Sequence, residues 1–554
     1  MLATRPASLL YAREAAVPRR KVWSRRWLWE GSAVAAIVLV ALLLRTYHLT
    51  TVPLGLHGDE ATTGLESVRI LREGNIGPYS LDALGQPTGP FYLIALAERL
   101  LGNTILAVRI VPALLGTLTV LALFCVVRRS YGTAAALAGA ALLATQGWHL
   151  HFSRIGFPLV AWPLVAVLTV GALVEALRRN DWRWWGLAGL CLGLGVYSYN
   201  SHPLFIAITG LFVGLAVGAG WWRARGTRGA LWRLVPVLAL PIVLGLVALP
   251  LLRYAADPIN DYTGHVRVVS VTNTAAWREL PGFPPRARFL ADRYGAYWQQ
   301  SCCEPRVDGA DGSGTTPILP PPLLALAVAG AAIGCCQRRG RPLALFGVCV
   351  ALLLPLSAAM TMDGAARRTF ALAPFVALFA GLALTWPLTQ VRAYLGAARG
   401  RTIFLPTLGL AAAAIVAVLA QGAIDGYFGH FARSSEARWT FAVEMVDASR
   451  YLATLPPESQ TYFYPGRWPA DHEIRRYFAP GVAIEERGLH PDLRDELAIT
   501  EGADTVVFLF MGDHLAQIDA VRVRYPGGQT VIGGPEATPD FIAYRLDSTA
   551  IAAR

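Results

Sequence analysis

Long apolar runs alternate with short arginine clusters along this chain, and that alternation restricts its fold more than any other feature. Runs of this kind are long enough to cross roughly 30 Å of hydrocarbon as helices. In a multi-pass protein, Lys and Arg stay on the cytoplasmic side, so clusters and runs must keep one register. Eleven spans satisfy it, at about 31–47, 104–127, 133–149, 158–177, 184–199, 203–222, 234–252, 317–336, 342–360, 368–389 and 402–424. Arg19, Arg20, Lys21, Arg25 and Arg26 precede the first. Arg128-Arg129, Arg178-Arg179, the run Arg223, Arg225, Arg228 and Arg233, then Arg338, Arg339 and Arg341, then Arg392, Arg399 and Arg401, fall on every second connection. This register predicts a cytoplasmic N-terminus and a C-terminus outside. Phe91–Leu101 is too short to span upright and is expected as an interfacial helix. Counting it as a span would move the later clusters to the outer face.

Composition agrees with a membrane protein. Hydrophobic residues make up 54% of the 554, and charged residues 16%, against about a quarter in soluble domains. The net charge of +12 lies in the inter-span clusters, which argues against nucleic acid as a partner. No small-residue cleavage site follows Val34–Leu44, so the first span is expected to be retained. The seven cysteines show no metal-ligand spacing. Cys302 and Cys303 are expected as two thiols, with a vicinal disulfide as the alternative in an oxidising compartment.

The predicted fold is an α-helical polytopic membrane protein with a small extracytoplasmic α/β domain. Its parts are a basic cytoplasmic segment 1–30, a membrane domain 31–424 and the C-terminal domain 425–554. The membrane domain has long outer loops at 48–103 and 253–316. Glu60–Arg72 reads as an amphipathic helix in the first loop. The second loop mixes acids, arginines and aromatics, mostly solvated, and its length suggests a mobile cover. In the last segment, Ala437–Leu455 and Asp513–Arg524 read as helices. Thr461–Tyr464, Thr505–Phe510, Thr530–Ile532 and Phe541–Arg545 read as strands. Pro526-Gly527-Gly528 and Gly533-Gly534-Pro535 are turns rather than phosphate loops, since neither opens a helix.

Chemistry concentrates at Asp59 and Glu60, which come about a dozen residues after the first span in Leu54-Gly55-Leu56-His57-Gly58-Asp59-Glu60. As solvated acids they would simply favour a helix N-terminus. At a membrane–water boundary, a carboxylate is also placed to take a proton from a hydroxyl. Here the chain resembles the GT-C superfamily of membrane glycosyltransferases. The likeness is to the branch of dolichyl-phosphate-mannose protein mannosyltransferases and aminoarabinose transferases, whose members place an Asp, often Asp-Glu, in the first outer loop. The resemblance covers about 30–424. It is strongest over 54–64, over 85–132 with Gly85–Tyr92, Arg109-Ile110-Val111-Pro112 and Arg128–Gly132, and over 148–165 with Ser153-Arg154. Relatives acting on lipid A carry a Lys where this chain has Gln86 and Thr88. Some relatives also carry a further acid near Arg154, and none lies between Arg129 and Glu175.

The resemblance implies transfer of a sugar from a polyprenyl-phosphate-linked donor, with inversion. The acceptor would be in lipid, protein or cell-wall glycan. Asp59 would be the base, with Glu60 as its support or as the base itself. Arg367 and Arg368 stand in Asp363–Phe370 on the side where positive charge is disfavoured, and an anionic phosphate accounts for them. Arg154, Arg109, His57 and Gln86 are further candidates for donor binding, with snorkelling to the interface the alternative for the arginines. His149 and His151 alternate in direction, against a metal pair. No cofactor is required, although a divalent ion bridging Asp59 and phosphate is compatible. The alternative function is a transporter or flippase of lipid-linked saccharides. Its ionisable groups would be expected at mid-membrane, whereas here they gather at the outer boundary.

Overall fold

The computed structural model describes residues 25–224, 231–305, 309–312, 316–394, 400–488, 499 and 504–547. Arg19, Arg20, Lys21, Arg225, Arg228 and Arg399 lie outside them. Among the described residues, eight helices are long and apolar enough to cross a membrane, including Ile105–Tyr131, Pro158–Arg179 and Ala366–Arg392. Thr133–Thr145 and Pro321–Cys336 are apolar but shorter, as is Trp182–Gly195. The chain is a multi-pass membrane protein, and the eleven-span count depends on these three shorter helices.

Four helices near the start of the chain bring the first acids into place: α1 Arg25–Thr46, α2 Gly58–Glu73, α3 Gly89–Leu101 and α4 Ile105–Tyr131. The sequence sets their ends by local chemistry. His57 caps α2, its Nδ1 accepting from the Asp59 amide at 3.0 Å while Glu60 accepts from the His57 amide at 3.0 Å. This reciprocal pair satisfies two otherwise orphaned donors. Thr104 caps α4 by accepting from the Ala107 amide. Pro90 occupies the first turn of α3, where a missing N–H costs nothing.

Within the bundle, small residues let backbones approach closely. A Cβ on Gly330 would lie 1.7 Å from the Phe379 carbonyl oxygen, so Pro321–Cys336 and Ala373–Tyr394 pack together through that glycine. One large apolar core runs through the helices. A second joins Leu56, Ala61, Ile94 and Val108 to Met445, Phe463, Ile474 and Val507 of the C-terminal segment. The C-terminal unit therefore sits directly on α2–α4. The Leu56 amide donates to Phe441 O at 2.8 Å, and the Tyr477 hydroxyl donates to Glu98 at 2.8 Å.

That unit contains a five-stranded sheet. β1 (Tyr79–Ser80) and β2 (Gln86–Pro87) form a separate hairpin near α3. The sheet itself comprises β3 (Gln460–Tyr464), β4 (Ala483–Glu486), β5 (Thr505–Phe510), β6 (Gln529–Gly533) and β7 (Phe541–Asp547). Its order is β4-β3-β5-β7-β6, with β3 parallel to both neighbours and β7 antiparallel to β5 and β6. Sequence reading misses β4, a short and largely exposed edge, and the helix Glu473–Phe478. The expected helix Ala437–Leu455 is broken into Ser435–Thr440 and Val443–Leu452, because Ala442 adopts a left-handed conformation. Asp513–Arg524 begins as a 3₁₀ turn and becomes α-helical only at Ile518.

The second long loop, 253–316, is folded into helices, and most of its described charges, among them Asp257, Asp261, Arg267, Arg288 and Asp292, are exposed as expected. It contains the helices Gly264–Val269, Ala275–Arg278 and Phe283–Cys303. It is anchored where Met362 donates to Val269 O at 2.8 Å, Val271 donates to Met360 O at 3.0 Å, and Arg293 donates to Ala359 O at 2.8 Å. Cys302 and Cys303 are joined as a disulfide, the alternative to the expected thiols.

Candidate active site

A cavity of about 210 Å³ lies beside the N-terminus of α2, with room for roughly seven waters at bulk density. Five stretches far apart in sequence supply its polar lining: Asp59, Gln86, Tyr199 with Asn200, His265, and Asp363 with Arg367 and Arg368. The hairpin reaches the 197–200 turn by a close approach. A Cβ on Gly89 would lie 2.7 Å from Tyr197 O, and the Asn200 amide donates to Gly85 O at 2.7 Å.

Charge in the cavity is interleaved. Arg367 faces Asp59 at 3.8 Å and Asp311 at 3.1 Å, and Asp311 also accepts from the Ala366 amide at 3.0 Å. Arg368 pairs with Asp363 at 3.2 Å. Burial alone would raise the Asp363 pKa, but the Arg368 bonds and charge hold it below the usual carboxylate value. Burial, reinforced by Arg368, lowers the pKa of His265, so its imidazole is neutral near pH 7. The cavity thus offers two carboxylates, Asp59 and Asp363, two guanidiniums and a set of neutral polar groups.

The other four expected site residues, Glu60, Arg109, Arg154 and His57, do not line the cavity. Glu60 does not reach the cavity. It is fully buried and accepts four bonds: two at 2.8 Å from Arg109, one from the His57 amide, and one from the Gly156 amide at 2.7 Å. Burial alone would raise its pKa, but Arg109 and these bonds bring the net below the ordinary value. Its geometry is that of a positioning residue rather than a group that meets substrate. Arg109 has no donor left for a phosphate, since it also binds the carbonyls of Leu49, Pro53 and Gly55. Arg154 gathers the carbonyls of Leu44, Tyr47 and Val52 at 2.5–2.8 Å and lies 4.8 Å from the Phe428 ring. Both arginines hold the turn between α1 and α2 in shape. His57 caps α2 with its ring against Phe157 and Phe441, 4.0 Å from Asp59.

Sequence reasoning missed Asp311, Tyr199, Asn200 and His265 as site residues. Asp363 carried a signal, standing five residues before Arg368. Asp311 carried none, because its link to Arg367 exists only once the chain has folded.

Residues 85–247 match the family model described as dolichyl-phosphate-mannose-protein mannosyltransferase, the stretch that supplies Gln86, Tyr199 and Asn200. Among solved structures the chain is similar to ArnT from Cupriavidus metallidurans in the apo state. The TM-score is 0.55 at 14% identity, over 95% of this chain and 99% of that one. The same protein bound to undecaprenyl phosphate aligns with a TM-score of 0.52 at 14% identity, over 93% and 98%. The chain has the GT-C membrane-glycosyltransferase fold. No curated protein sequence matches at a significant level. Within this GT-C fold the acid-bearing turn, the hairpin and the late arginine pair converge on one cavity.

Proposed function

We propose that the chain is an inverting glycosyltransferase that moves a sugar from a polyprenyl-phosphate-linked donor to an acceptor at the outer face of the membrane. The observation that carries this reading is the shared cavity of Asp59, Arg367 and Arg368. The acceptor hydroxyl or amine attacks the anomeric carbon and gives its proton to Asp59. The bond between that carbon and the phosphate oxygen breaks, and the electron pair leaves with polyprenyl phosphate. General-base help of this kind is worth typically 10²–10⁴-fold. The leaving group needs charge stabilisation rather than an acid, which Arg367 and Arg368 supply. Asp311 and Asp363 hold the two guanidiniums at the cavity wall.

The residues do not fit a resident divalent ion. Each carboxylate at the cavity faces an arginine, and among the described residues no three His, Cys, Asp or Glu side chains are grouped as ligands. No step is routed through a metal.

The test is reconstitution in vesicles with a radiolabelled polyprenyl-phosphate sugar. Release of free polyprenyl phosphate together with label on an acceptor supports transfer. Intact donor appearing in the opposite leaflet, with no release, would instead support the transporter.

A further inference from the structure

A second cavity, of about 930 Å³, lies between the end of α1 and the helix Gly400–Ile424 with its π-helical extension Asp425–His430. Both helices pack on Thr133–Thr145, which leaves a groove between them. No residue in the most apolar window of the membrane-length stretch Phe404–Arg433 is fully buried, so the groove opens sideways toward lipid.

Its lining is polarised along its length. Ala417, Ala420 and Ile424, with Gln421 among them, form one end, and His48, Asp425 and Arg433 lie at the other. The floor at the polar end is rigid, since Phe428 packs on Arg154 at 4.8 Å and on Tyr47 at 5.9 Å. Both charged rim residues are exposed. Asp425 has a histidine neighbour, His430, at 3.7 Å. Arg433 has no ion-pair partner among the described residues. A second helix seated here would meet Asp425 and Arg433 without apolar cover. A plain prenyl tail would leave both charges unanswered.

We infer that this groove is a docking site for a glycerophospholipid whose headgroup carries both a phosphate and an ammonium. The phosphate would meet Arg433, the ammonium would meet Asp425, and the acyl chains would lie along Ala417 and Ala420. This assignment is independent of the proposed transfer reaction and can be tested without measuring it.

The probe is dioleoylphosphatidylethanolamine added to the delipidated full chain in detergent, with retention read by native mass spectrometry. Dioleoylphosphatidylglycerol and dioleoylglycerol serve as comparisons. Loss of a charge-assisted contact costs about tenfold in affinity. The ethanolamine lipid should therefore be held about tenfold tighter than the diacylglycerol, and tighter than the glycerol lipid. Ala420→Trp, which obstructs the groove, should abolish the preference, and Arg433→Ala, a change at an exposed residue, should reduce it. Leu410→Trp, at a side chain 71% exposed on the same helix, should leave it intact. Equal retention of the three lipids, or unchanged retention in Arg433→Ala, would overturn the assignment. A dimer that disappears in Ala420→Trp would also overturn it, giving the groove to a second copy of the chain.

Discussion

Replacing Glu60 by Gln changes one oxygen to an amide nitrogen and leaves the shape nearly the same, yet the structure predicts a large cost. One Glu60 oxygen accepts from Arg109 Nε and the Gly156 amide, and the other from Arg109 Nη2 and the His57 amide. Whichever way the Gln amide is turned, its NH₂ faces two N–H donors. The charge of Arg109, buried at 0% exposure, also loses its counter-ion. Removing one partner of a buried pair costs about 3–5 kcal/mol. Replacing both by apolar side chains is often far less damaging. Glu60→Met with Arg109→Met should therefore be more stable than Arg109→Met alone. Thermal unfolding of purified protein in detergent, scored beside transfer per folded molecule, separates stability from chemistry. Glu60→Gln should lower the unfolding temperature and reduce the yield of folded protein. A Glu60→Gln protein as stable as the parent but without transfer would refute this reasoning and return Glu60 to the reaction.

Three further outcomes are expected. Arg367→Ala or Arg368→Ala should weaken binding of both donor and free polyprenyl phosphate by roughly ten- to a hundred-fold, with Lys restoring it only in part; unchanged affinity in a lipid-phosphate titration would remove the pair from the site. Burial at the contact with the C-terminal unit pushes Glu98 up to about 8 from 4.5, against the lowering effect of the Tyr477 hydroxyl bond. Because the folded pKa is raised, the contribution of Glu98 is fully present below about 4.5 and is lost as pH rises to about 8. Proteolytic susceptibility of the C-terminal unit should rise over that window and become flatter with pH in Glu98→Gln, and an identical pH profile in that variant would contradict the assignment. A cysteine placed at exposed Glu536 should react with a membrane-impermeant maleimide on intact cells; labelling only after lysis would reverse the proposed orientation of the whole chain.

The membrane architecture was legible because hydrocarbon thickness and arginine placement act on local sequence. The apolar helices fall within a few residues of the expected runs. The C-terminal strands were legible where they alternate or run apolar, as in Thr505–Phe510, and not at β4, whose exposed residues carry no such pattern. At the site, Asp59, Gln86, Arg367 and Arg368 were readable from their residue types and positions, and they do share a cavity. For Glu60, Arg109 and Arg154 the sequence left a supporting or interfacial role open beside a functional one, because a charged residue near a membrane boundary looks the same whether it meets a ligand or other groups of the protein. Burial decided between those cases, with all three at 0% exposure. Asp311 and His265 were invisible as site residues because Asp311 meets the Ala366 amide and Arg367, and His265 reaches the cavity, only in the folded chain.

The most direct test of the central claim is single-turnover transfer by Asp59→Asn in vesicles, with donor binding measured in the same preparation. The account predicts a folded protein that binds the polyprenyl-phosphate sugar with near-parental affinity and transfers it at least a hundred-fold more slowly, the low end of what a general base contributes. Transfer at the parental rate with donor bound would contradict it.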